Sequence, residues 1–415
     1  MSTRGEHLVR ADRRFATGGG RLARWVAPAF DKVLDQLERR LEHGGLEATL
    51  PNGSVRRIGF RAPGPDAAVR LVSWLSLVRL ATSGSVGWYK AWTLGEWSSP
   101  DPVVLFELFS ANAVPLGDVG RAKGVFRWMN ALAHRLRDNA PRKARANIAA
   151  HYDLGNDFYS AWLDETMTYS CARFASAMDS LEDAQRRKVA LLLDRLDLKP
   201  GQRLLEIGCG WGSLAIAAAQ RGAHVVGLTL STQQKAWADE KIATAGLADR
   251  IEIRLQDYRE TDEQFDAVAS VEMVEAVGER WWGAYLGSIA RNLVHGGRAA
   301  LQFISINHRL FERYARNPDF IQTYIFPGGM LLDEARFEAL ARERGLSWEG
   351  REAFRLDYAE TLKRWRSRYD LAVKRGDLAE FAEPFHNLWR YYLMYCEGGF
   401  RGGAIDVAQV TMVKS

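Results

Sequence analysis

The chain contains a run of alternating glycines of the kind that binds phosphate or nucleoside groups. Gly208, Gly210 and Gly212 directly follow an apolar segment that ends in Glu206 and Ile207. Glycine allows the positive φ angles and the close backbone approach that such a loop requires. A bare pattern of this type fits a dinucleotide, a phosphate or an adenosyl group. No Lys-Ser/Thr pair follows the glycines, which disfavours a loop that holds a phosphate-bound metal.

Polar residues follow the next two predicted strands. Dinucleotide enzymes usually carry an acid after the second strand for the ribose hydroxyls, whereas this chain has a neutral segment there, so NAD is disfavoured. The residues after the third strand stand where an acid or amide commonly lies beside an adenine ring, although Asp257 could equally cap a turn. Together with Glu206, at the position where methyltransferases bind the methionine part, the pattern favours S-adenosylmethionine (SAM). The predicted contacts are Glu206, Gly208, Gly210, Gly212, Thr229, Leu230, Gln234, Gln256, Asp257 and Tyr258.

Glu275 lies in the apolar segment 271–277. A buried carboxylate is costly unless it accepts hydrogen bonds or becomes protonated, so a functional role is predicted, with an exposed helix-end position as the alternative. The three cysteines, Cys171, Cys209 and Cys396, lack CxxC spacing. Neither a disulfide framework nor a metal site is predicted, and a reducing cytoplasm fits. Methyl transfer needs no thiolate, so Cys171 is expected to line the site through its backbone.

The elements that position these residues alternate between strand and helix. This alternation from residue 187 onward predicts an α/β fold with a mostly parallel, doubly wound sheet. The predicted strands are 203–207, 224–228, 251–255, 267–271 and 298–304, and a helix is predicted over 213–220. Before them, an amphipathic helix over 25–41 and short strands near 48–50, 55–60 and 68–71 predict a smaller α+β domain.

Three regions follow from these patterns: an N-terminal α+β domain over 1–122, a basic connector over 123–147 and a catalytic domain over 148–415. Residues 1–147 carry 23 Lys and Arg against 13 Asp and Glu. Such an asymmetry indicates attraction to a polyanion, or else simple solubilising charge. The chain has no apolar leader and no long apolar stretch, so any membrane contact is expected to be peripheral.

Seven strings of this sequence resemble the cyclopropane-fatty-acyl-phospholipid synthase family, which includes the mycolic acid cyclopropane synthases. They lie at 150–159, 167–172, 206–212, 227–231, 271–278, 324–329 and 396–401. The resemblance spans 148–412 and implies a Rossmann-like class I SAM-dependent methyltransferase domain. It also implies that Tyr169 and Ser170 contact SAM.

The family mechanism implied by this resemblance is methylation of an acyl carbon-carbon double bond. The alkene attacks the sulfonium methyl, a carbocation results, and a bound bicarbonate removes a proton so that a cyclopropane ring closes. In the family a Glu, a His, a Tyr and backbone amides hold the bicarbonate. Glu275 and Tyr358 match the Glu and the Tyr, and Cys171 and Ile304 match the amides.

Two positions depart from the family pattern. Gln302 stands where better-known members have His, and Ala276 replaces another usual His. A neutral amide can still donate a hydrogen bond. Methyl transfer therefore stays predicted, while two products stay open: a cyclopropane ring, or a methylene or methyl branch (the 10-methyl type) completed by a partner reductase.

The resemblance implies an unsaturated phospholipid substrate in an anionic membrane surface, a homodimer, and a cytoplasmic location at the inner face of the cell membrane. Longer family members carry an extra N-terminal domain thought to engage the membrane, which agrees with the basic surplus. An inactive lipid-binding protein is the alternative from another class, and the intact glycines argue against it. No nucleic-acid partner is expected, because no RNA-binding module or Asn-Pro-Pro-Tyr-like motif is present.

Overall fold

The structure, a computed structural model, describes residues 4–11, 27–117 and 154–415. It forms two compact units, each built from separate parts of the chain. Among the described residues, unit 1 comprises 4–11, 27–117, Asn307–Pro327 and Ala379–Ile405, and unit 2 comprises 154–306, Gly328–Leu378 and Asp406–Ser415. The predicted connector 123–147 and the boundary at 148 lie outside the described residues.

The strands and helices, numbered in chain order over the described residues, are as follows. The strands are β1 (Gly45–Thr49), β2 (Val55–Gly59), β3 (Asp66–Leu71), β4 (Trp97–Ser98), β5 (Arg203–Ile207), β6 (His224–Thr229), β7 (Ile251–Leu255), β8 (Phe265–Val271), β9 (Leu293–Ile306), β10 (Leu346–Ala353) and β11 (Ile405–Lys414). The helices are α1 (Glu6–Val9), α2 (Ala27–Arg40), α3 (Leu75–Thr93), α4 (Pro102–Ala111), α5 (Ala113–Leu116), α6 (Asn156–Ser160), α7 (Leu181–Leu196), α8 (Ser213–Gln220), α9 (Thr232–Thr244), α10 (Trp282–Asn292), α11 (His308–Arg316), α12 (Glu334–Arg342), α13 (Arg355–Arg375) and α14 (Glu383–Gly402).

Unit 1 contains the predicted α+β arrangement. Its four strands lie in the order β2-β1-β3-β4, with β1 antiparallel to β2 and parallel to β3. Helix α4 begins after Asp101, whose carboxylate accepts hydrogen bonds from the amides of Val103 (2.9 Å) and Val104 (3.4 Å). This capping satisfies two backbone donors that a helix start leaves open.

Unit 1 also takes in two segments that the sequence had suggested would belong to the catalytic domain. Phe320 packs against Tyr89 and Tyr391, with ring centroids 4.9 and 4.8 Å away. Helix α14 approaches α4 closely because Gly398 and Gly402 have no side chain; a Cβ at Gly398 would lie 2.5 Å from the Cβ of Phe106. The two segments therefore group with unit 1, unlike the contiguous division predicted from sequence.

Unit 2 is built on a seven-stranded sheet in the order β10-β11-β9-β8-β5-β6-β7. Strands β5 to β9 pair in parallel, while β10 and β11 pair antiparallel. The five strands predicted from sequence are confirmed as β5 to β9. The predicted α/β class and mostly parallel sheet are confirmed as well.

Helices cover both faces of this sheet. Ala300 of β9 belongs to a core formed with buried residues of α7, α8 and α9, such as Leu192 and Ala215. Phe303 lies three positions further along β9 and so faces the other side, where it packs against Phe337 of α12 at 6.4 Å between centroids. The sheet is therefore doubly wound.

The chain leaves β5 towards β6 and β7, then returns to the opposite side of β5 to form β8. Strand β5 is accordingly flanked by β6 and β8. The hydroxyl of Ser270 donates to the carbonyl of Ile207 (2.8 Å) and ties the carboxyl ends of β8 and β5 together. In doubly wound sheets the crevice at such a reversal of strand order is the usual ligand site.

Candidate active site

A pocket opens at the carboxyl ends of β8, β5, β6 and β7, and the residues that follow these strands form much of its wall. Most of the predicted cofactor residues lie in this wall. They are Tyr169, Ser170, Glu206, Gly208, Gly210, Thr229, Leu230, Gln234, Gln256, Asp257 and Tyr258. Their contacts with a cofactor remain predictions, but the fold does bring these residues together around one space.

Gly212 is the predicted cofactor residue that does not line the pocket. It precedes α8 with a φ of 86°, and a Cβ added there would lie 3.1 Å from the Cβ of Ala238. Gly210 differs, since it lines the pocket with a φ of 53° and a Cβ there would meet nothing within 4 Å. The loop thus uses Gly210 at the ligand side and Gly212 for helix packing.

Glu206 lies on the pocket wall with only 4% of its surface exposed. Its Oε2 accepts no hydrogen bond from any described residue. Burial raises the pKa of Glu206 to about 8, although the charge of Lys188 acts in the opposite direction. A buried carboxylate oxygen without a donor suits a cationic ligand group such as an amino acid ammonium.

Lys188 is a pocket residue that sequence reasoning missed. It is 2% exposed, and its Nζ donates to the Ser170 hydroxyl at 2.8 Å. Burial lowers the pKa of Lys188, while the nearby Glu272 and Asp164 carboxylates act to raise it. Its position on the buried face of α7, one turn after the buried Gln185, is the sequence signal that could have revealed it.

The opposite end of the pocket, after β7, carries an ion pair. The Asp257 carboxylate accepts from the Arg259 guanidinium through Nε (2.8 Å) and Nη2 (2.6 Å), and it also caps the turn at Tyr258–Glu260. The turn-capping alternative is therefore what Asp257 does here, while it also lines the pocket. Arg259, which the sequence had not indicated, lines the pocket beside it.

The wall after β6 is held by neutral hydrogen bonds. The hydroxyl of Thr229 donates to the side-chain carbonyl of Gln234 at 2.9 Å. Ser231 caps α9 by accepting from the Gln234 amide at 3.2 Å. Hydroxyl and amide groups thus occupy the place where dinucleotide enzymes carry an acid, which agrees with the argument against NAD.

Three of the predicted catalytic residues surround one carboxylate that the sequence had not indicated, Glu272. Its Oε1 accepts from the Cys171 amide (2.9 Å) and from the Gln302 side-chain nitrogen (2.7 Å). Its Oε2 accepts from the Tyr358 hydroxyl (2.6 Å). These four residues, Cys171, Glu272, Gln302 and Tyr358, form what we call the Glu272 cluster. Of the four, Glu272 is the one that lines the pocket.

The amide of Gln302 is oriented by a second glutamine. Gln409 donates from its side-chain nitrogen to the Gln302 oxygen at 3.0 Å, and its own oxygen accepts from Arg195 Nε at 3.2 Å. This chain of hydrogen bonds directs the Gln302 nitrogen towards Glu272. Gln302 therefore acts as a donor to a carboxylate.

Glu272 has an unusual backbone, with a φ of 49°. Its amide donates to the Gln302 carbonyl at 2.8 Å, at the point where β8 ends. Residues other than glycine pay a steric cost in this left-handed region. An acid directly after a strand beside the glycine loop is a signal of the same kind that indicated Asp257, but the positive φ is not visible in the sequence.

Glu275 lies one short turn later, in Val274–Ala276. Its Oε1 accepts from the Ile304 amide, while its Oε2 is buried and has no partner among the described residues. Burial, reinforced by the charge of Glu272, raises the pKa of Glu275 to about 8. The Ile304 amide, which the family resemblance implied would help to hold bicarbonate, donates to Glu275 here, and Glu275 is separate from the three donors of the Glu272 cluster.

Cys171 and Cys209 are buried and Cys396 is half-buried, and the pKa of each thiol is raised rather than lowered. Cys171 is 0% exposed, and burial raises the pKa of its thiol well above the usual value, with Glu272 adding to the shift. Burial has the same effect on the pKa of Cys396. Both thiols thus stay protonated at neutral pH. The backbone amide of Cys171 donates to Glu272, while Cys171 itself does not line the pocket.

The family described as mycolic acid cyclopropane synthetase matches residues 139–410 of this chain. The chain belongs to this family. The tuberculostearic acid methyltransferase UfaA1 of Mycobacterium tuberculosis is 39% identical to it over 364 residues, 84% of this chain and 82% of that protein. The cyclopropane-fatty-acyl-phospholipid synthase of Escherichia coli is 35% identical over 336 residues, 80% of this chain and 84% of that protein.

A solved structure supports the same assignment. The crystal structure of mycolic acid cyclopropane synthase CmaA1, complexed with S-adenosylhomocysteine (SAH) and CTAB, is 34% identical with a TM-score of 0.61, and the match covers 65% of this chain and 98% of that one. This chain is therefore a SAM-dependent methyltransferase of the cyclopropane-synthase type, and unit 2 has the class I methyltransferase fold.

Proposed function

We propose that this enzyme transfers the methyl group of SAM to the carbon-carbon double bond of an unsaturated acyl chain in a phospholipid. The observation that carries the proposal is the buried acidic pocket after β5 and β8, where Glu206 and Glu272 flank the glycine loop. Membership of the family and the Escherichia coli relative's name support the lipid acyl chain as the methyl acceptor.

The pocket residues fit SAM from one end to the other. The unpartnered Oε2 of Glu206 suits the ammonium of the methionine part. Thr229, Gln234, Asp257 and Tyr258 line the same pocket. The first two are the proposed ribose contacts, and the last two are the proposed adenine contacts. When bound, SAM supplies an electrophilic methyl group on a positively charged sulfur.

The protein's own part in the reaction is to hold a weak nucleophile and to keep water away. An alkene reacts only when it is held in line with the methyl group, and such positioning can contribute about 7–11 kcal/mol. Tyr169 lines the pocket and packs among Tyr159, Trp162 and Trp365, with centroids 5.3–5.6 Å away. Such aromatic faces stabilise a cationic acyl intermediate by roughly 2 kcal/mol in a dry site.

Two products are consistent with this chemistry. Loss of a proton with ring closure gives a cyclopropane, and loss of a proton after hydride migration gives a methylene branch, which a partner reductase would convert to a methyl branch. The relative named a tuberculostearic acid methyltransferase favours the branched product. The presence of Gln302 at the position of the family His is a second reason to propose the branched product.

The family resemblance assigns the final deprotonation to a bound bicarbonate. In this chain the Cys171 amide, Gln302 and Tyr358, which would help to hold it, already donate to Glu272. This arrangement favours a different base over bicarbonate.

Expression in a host that makes monounsaturated phospholipids tests the proposal. Gas chromatography with mass spectrometry of its fatty acids should reveal chains one methylene group heavier, absent from a host without the gene. Hydrogenation of the extract separates the products, since a methylene branch takes up hydrogen and a ring survives mild conditions. Unchanged fatty acids, although the purified protein binds SAH in calorimetry, would contradict the proposal; absence of SAH binding would support the inactive alternative.

A further inference from the structure

The proposed reaction needs a base at the pocket wall. Attack of the alkene on a methyl group leaves a positive charge on the acyl chain, and a stable product forms only when a proton leaves. Among the described residues, the side chains of Glu206, Asp257 and Glu272 are the carboxylates that line the pocket. The base is therefore sought among these three.

Two of the three are poorly placed for this task. Asp257 is engaged by the Arg259 guanidinium through two hydrogen bonds. It also follows β7, three strand positions from β8 and so about 14 Å away across the sheet. Glu206 has a buried oxygen without a donor that suits the cofactor's ammonium, so its carboxylate is engaged by the methionine part when SAM is bound.

Glu272 has the surroundings of an ionised carboxylate. The Cys171 amide, the Gln302 amide nitrogen and the Tyr358 hydroxyl all donate to its two oxygens, at 2.6–2.9 Å. Three donors stabilise the anionic form over the protonated one. The buried Lys188 adds a positive charge nearby. Burial still raises the pKa of Glu272, which strengthens the carboxylate as a base.

We propose that Glu272 is the catalytic base of this enzyme and takes the place that the family resemblance gives to a bound bicarbonate. Its carboxylate accepts hydrogen bonds from the Cys171 amide, Gln302 and Tyr358, three of the groups that would otherwise hold that ion. Glu272 itself lines the pocket. The inference rests on the proposed function, because it assigns a base to that reaction.

The step balances without any further reactant. The alkene electron pair forms the new carbon-carbon bond while the sulfur-carbon bond breaks, and its electron pair remains on sulfur. Glu272 Oε1 or Oε2 then takes one proton from the transferred methyl group. The released carbon-hydrogen electrons close the ring or, after a hydride has moved from the methylated carbon to its neighbour, form the methylene double bond.

The strained backbone at Glu272 supports a functional reason for this side chain. Its φ of 49° is favourable for glycine and unfavourable for a glutamate. The partial burial of this acid adds a desolvation cost. A catalytic role for this carboxylate explains why a glutamate is present despite both unfavourable contributions.

The first test removes bicarbonate and the carboxylate separately. Purified full-length enzyme is assayed with unsaturated phospholipid vesicles in buffer freed of carbon dioxide. We expect wild-type turnover to be unchanged, Glu272→Gln to lose about 100-fold in kcat, and the exposed control Glu279→Gln to match wild type. SAH affinity by calorimetry should be the same in all three proteins.

The second test empties the position of the Glu272 carboxylate and measures both anion binding and turnover. Glu272→Gly removes the carboxylate and suits the positive φ, so the fold should persist. Calorimetry without SAM should show formate or bicarbonate binding saturably to Glu272→Gly and not to wild type, and added bicarbonate should restore its turnover at least 10-fold.

Three outcomes overturn the assignment: wild-type turnover that depends on bicarbonate, Glu272→Gln with wild-type kcat, or a parallel loss of SAH affinity in Glu272→Gln. Failure of the proposed function looks different, because wild type itself would then methylate no unsaturated lipid under any of these conditions.

Discussion

Protonation of Glu206 should respond to the cofactor. At pH 7 this carboxyl is largely protonated, since its pKa is raised to about 8. An ammonium beside it favours the ionised form, so binding should release close to one proton at pH 7, and the release should fade above pH 8. Calorimetry of SAH binding in buffers of different ionisation enthalpy measures this. Glu206→Gln should release none, and equal release in both proteins would contradict the role given to Glu206.

Tyr358 should affect turnover through its hydrogen bond to the proposed base, Glu272. Tyr358→Phe removes the hydroxyl that donates to Glu272 Oε2 at 2.6 Å. Loss of this donor raises the pKa of Glu272, with Glu275 and Lys188 still facing it, so the acid limb of the kcat profile should move to higher pH. The pH dependence of turnover checks this, with SAH affinity as the control. A uniform fall in kcat without a shift would indicate a purely structural role.

The sequence indicated most of the groups at this site but not the one they surround. Cys171, Gln302 and Tyr358 followed from the family resemblance, whereas Glu272 stood unnoticed in the same segment as Glu275. Sequence spacing does not reveal which of two acids three residues apart turns towards a set of donors. That choice depends on the positive φ of Glu272, a property of the folded backbone.

At the scale of elements, the glycine loop offers a matched pair of substitutions. Gly210→Ala places a methyl group in the pocket, whereas Gly212→Ala presses on the Cβ of Ala238 in α9. Both positions have positive φ, so each change should cost roughly 1–2 kcal/mol of unfolding free energy.

Calorimetry and denaturant unfolding separate the two variants. Gly210→Ala should weaken SAH binding by about 10-fold or more, equivalent to about 1.4 kcal/mol, while Gly212→Ala should bind SAH within a few-fold of wild type. Equal losses of affinity would mean that Gly212 contacts the cofactor directly, as its place in the sequence pattern first predicted.

Strand positions were predictable because the parallel strands of unit 2 are short apolar segments separated by helices. The grouping of helices into units was not. Helix α14 joins unit 1 through Gly398 and Gly402 against α4, about 290 residues earlier in the chain. Glycines of this kind appear in a sequence as possible turns, and their partner helix is set by the tertiary structure.

For the whole molecule, the basic surplus of residues 1–147 predicts attraction to anionic lipid surfaces. Among the described helices, none combines the length and apolar character needed to span a bilayer. Each basic residue near an anionic surface contributes about 1 kcal/mol, and salt screens this attraction. Sedimentation with vesicles should show stronger binding to anionic than to neutral lipid, weakened by added salt. Equal binding to both vesicle types would contradict this expectation.

The most direct test of the account follows the methyl group itself. Purified enzyme is incubated with vesicles of a monounsaturated phospholipid and SAM whose methyl group carries three deuterium atoms, and the acyl chains are analysed by mass spectrometry. The account predicts one added carbon on the acyl chain that retains two deuterium atoms, and no product from a saturated phospholipid. Label in the headgroup, equal labelling of saturated chains, or retention of all three deuterium atoms would contradict it.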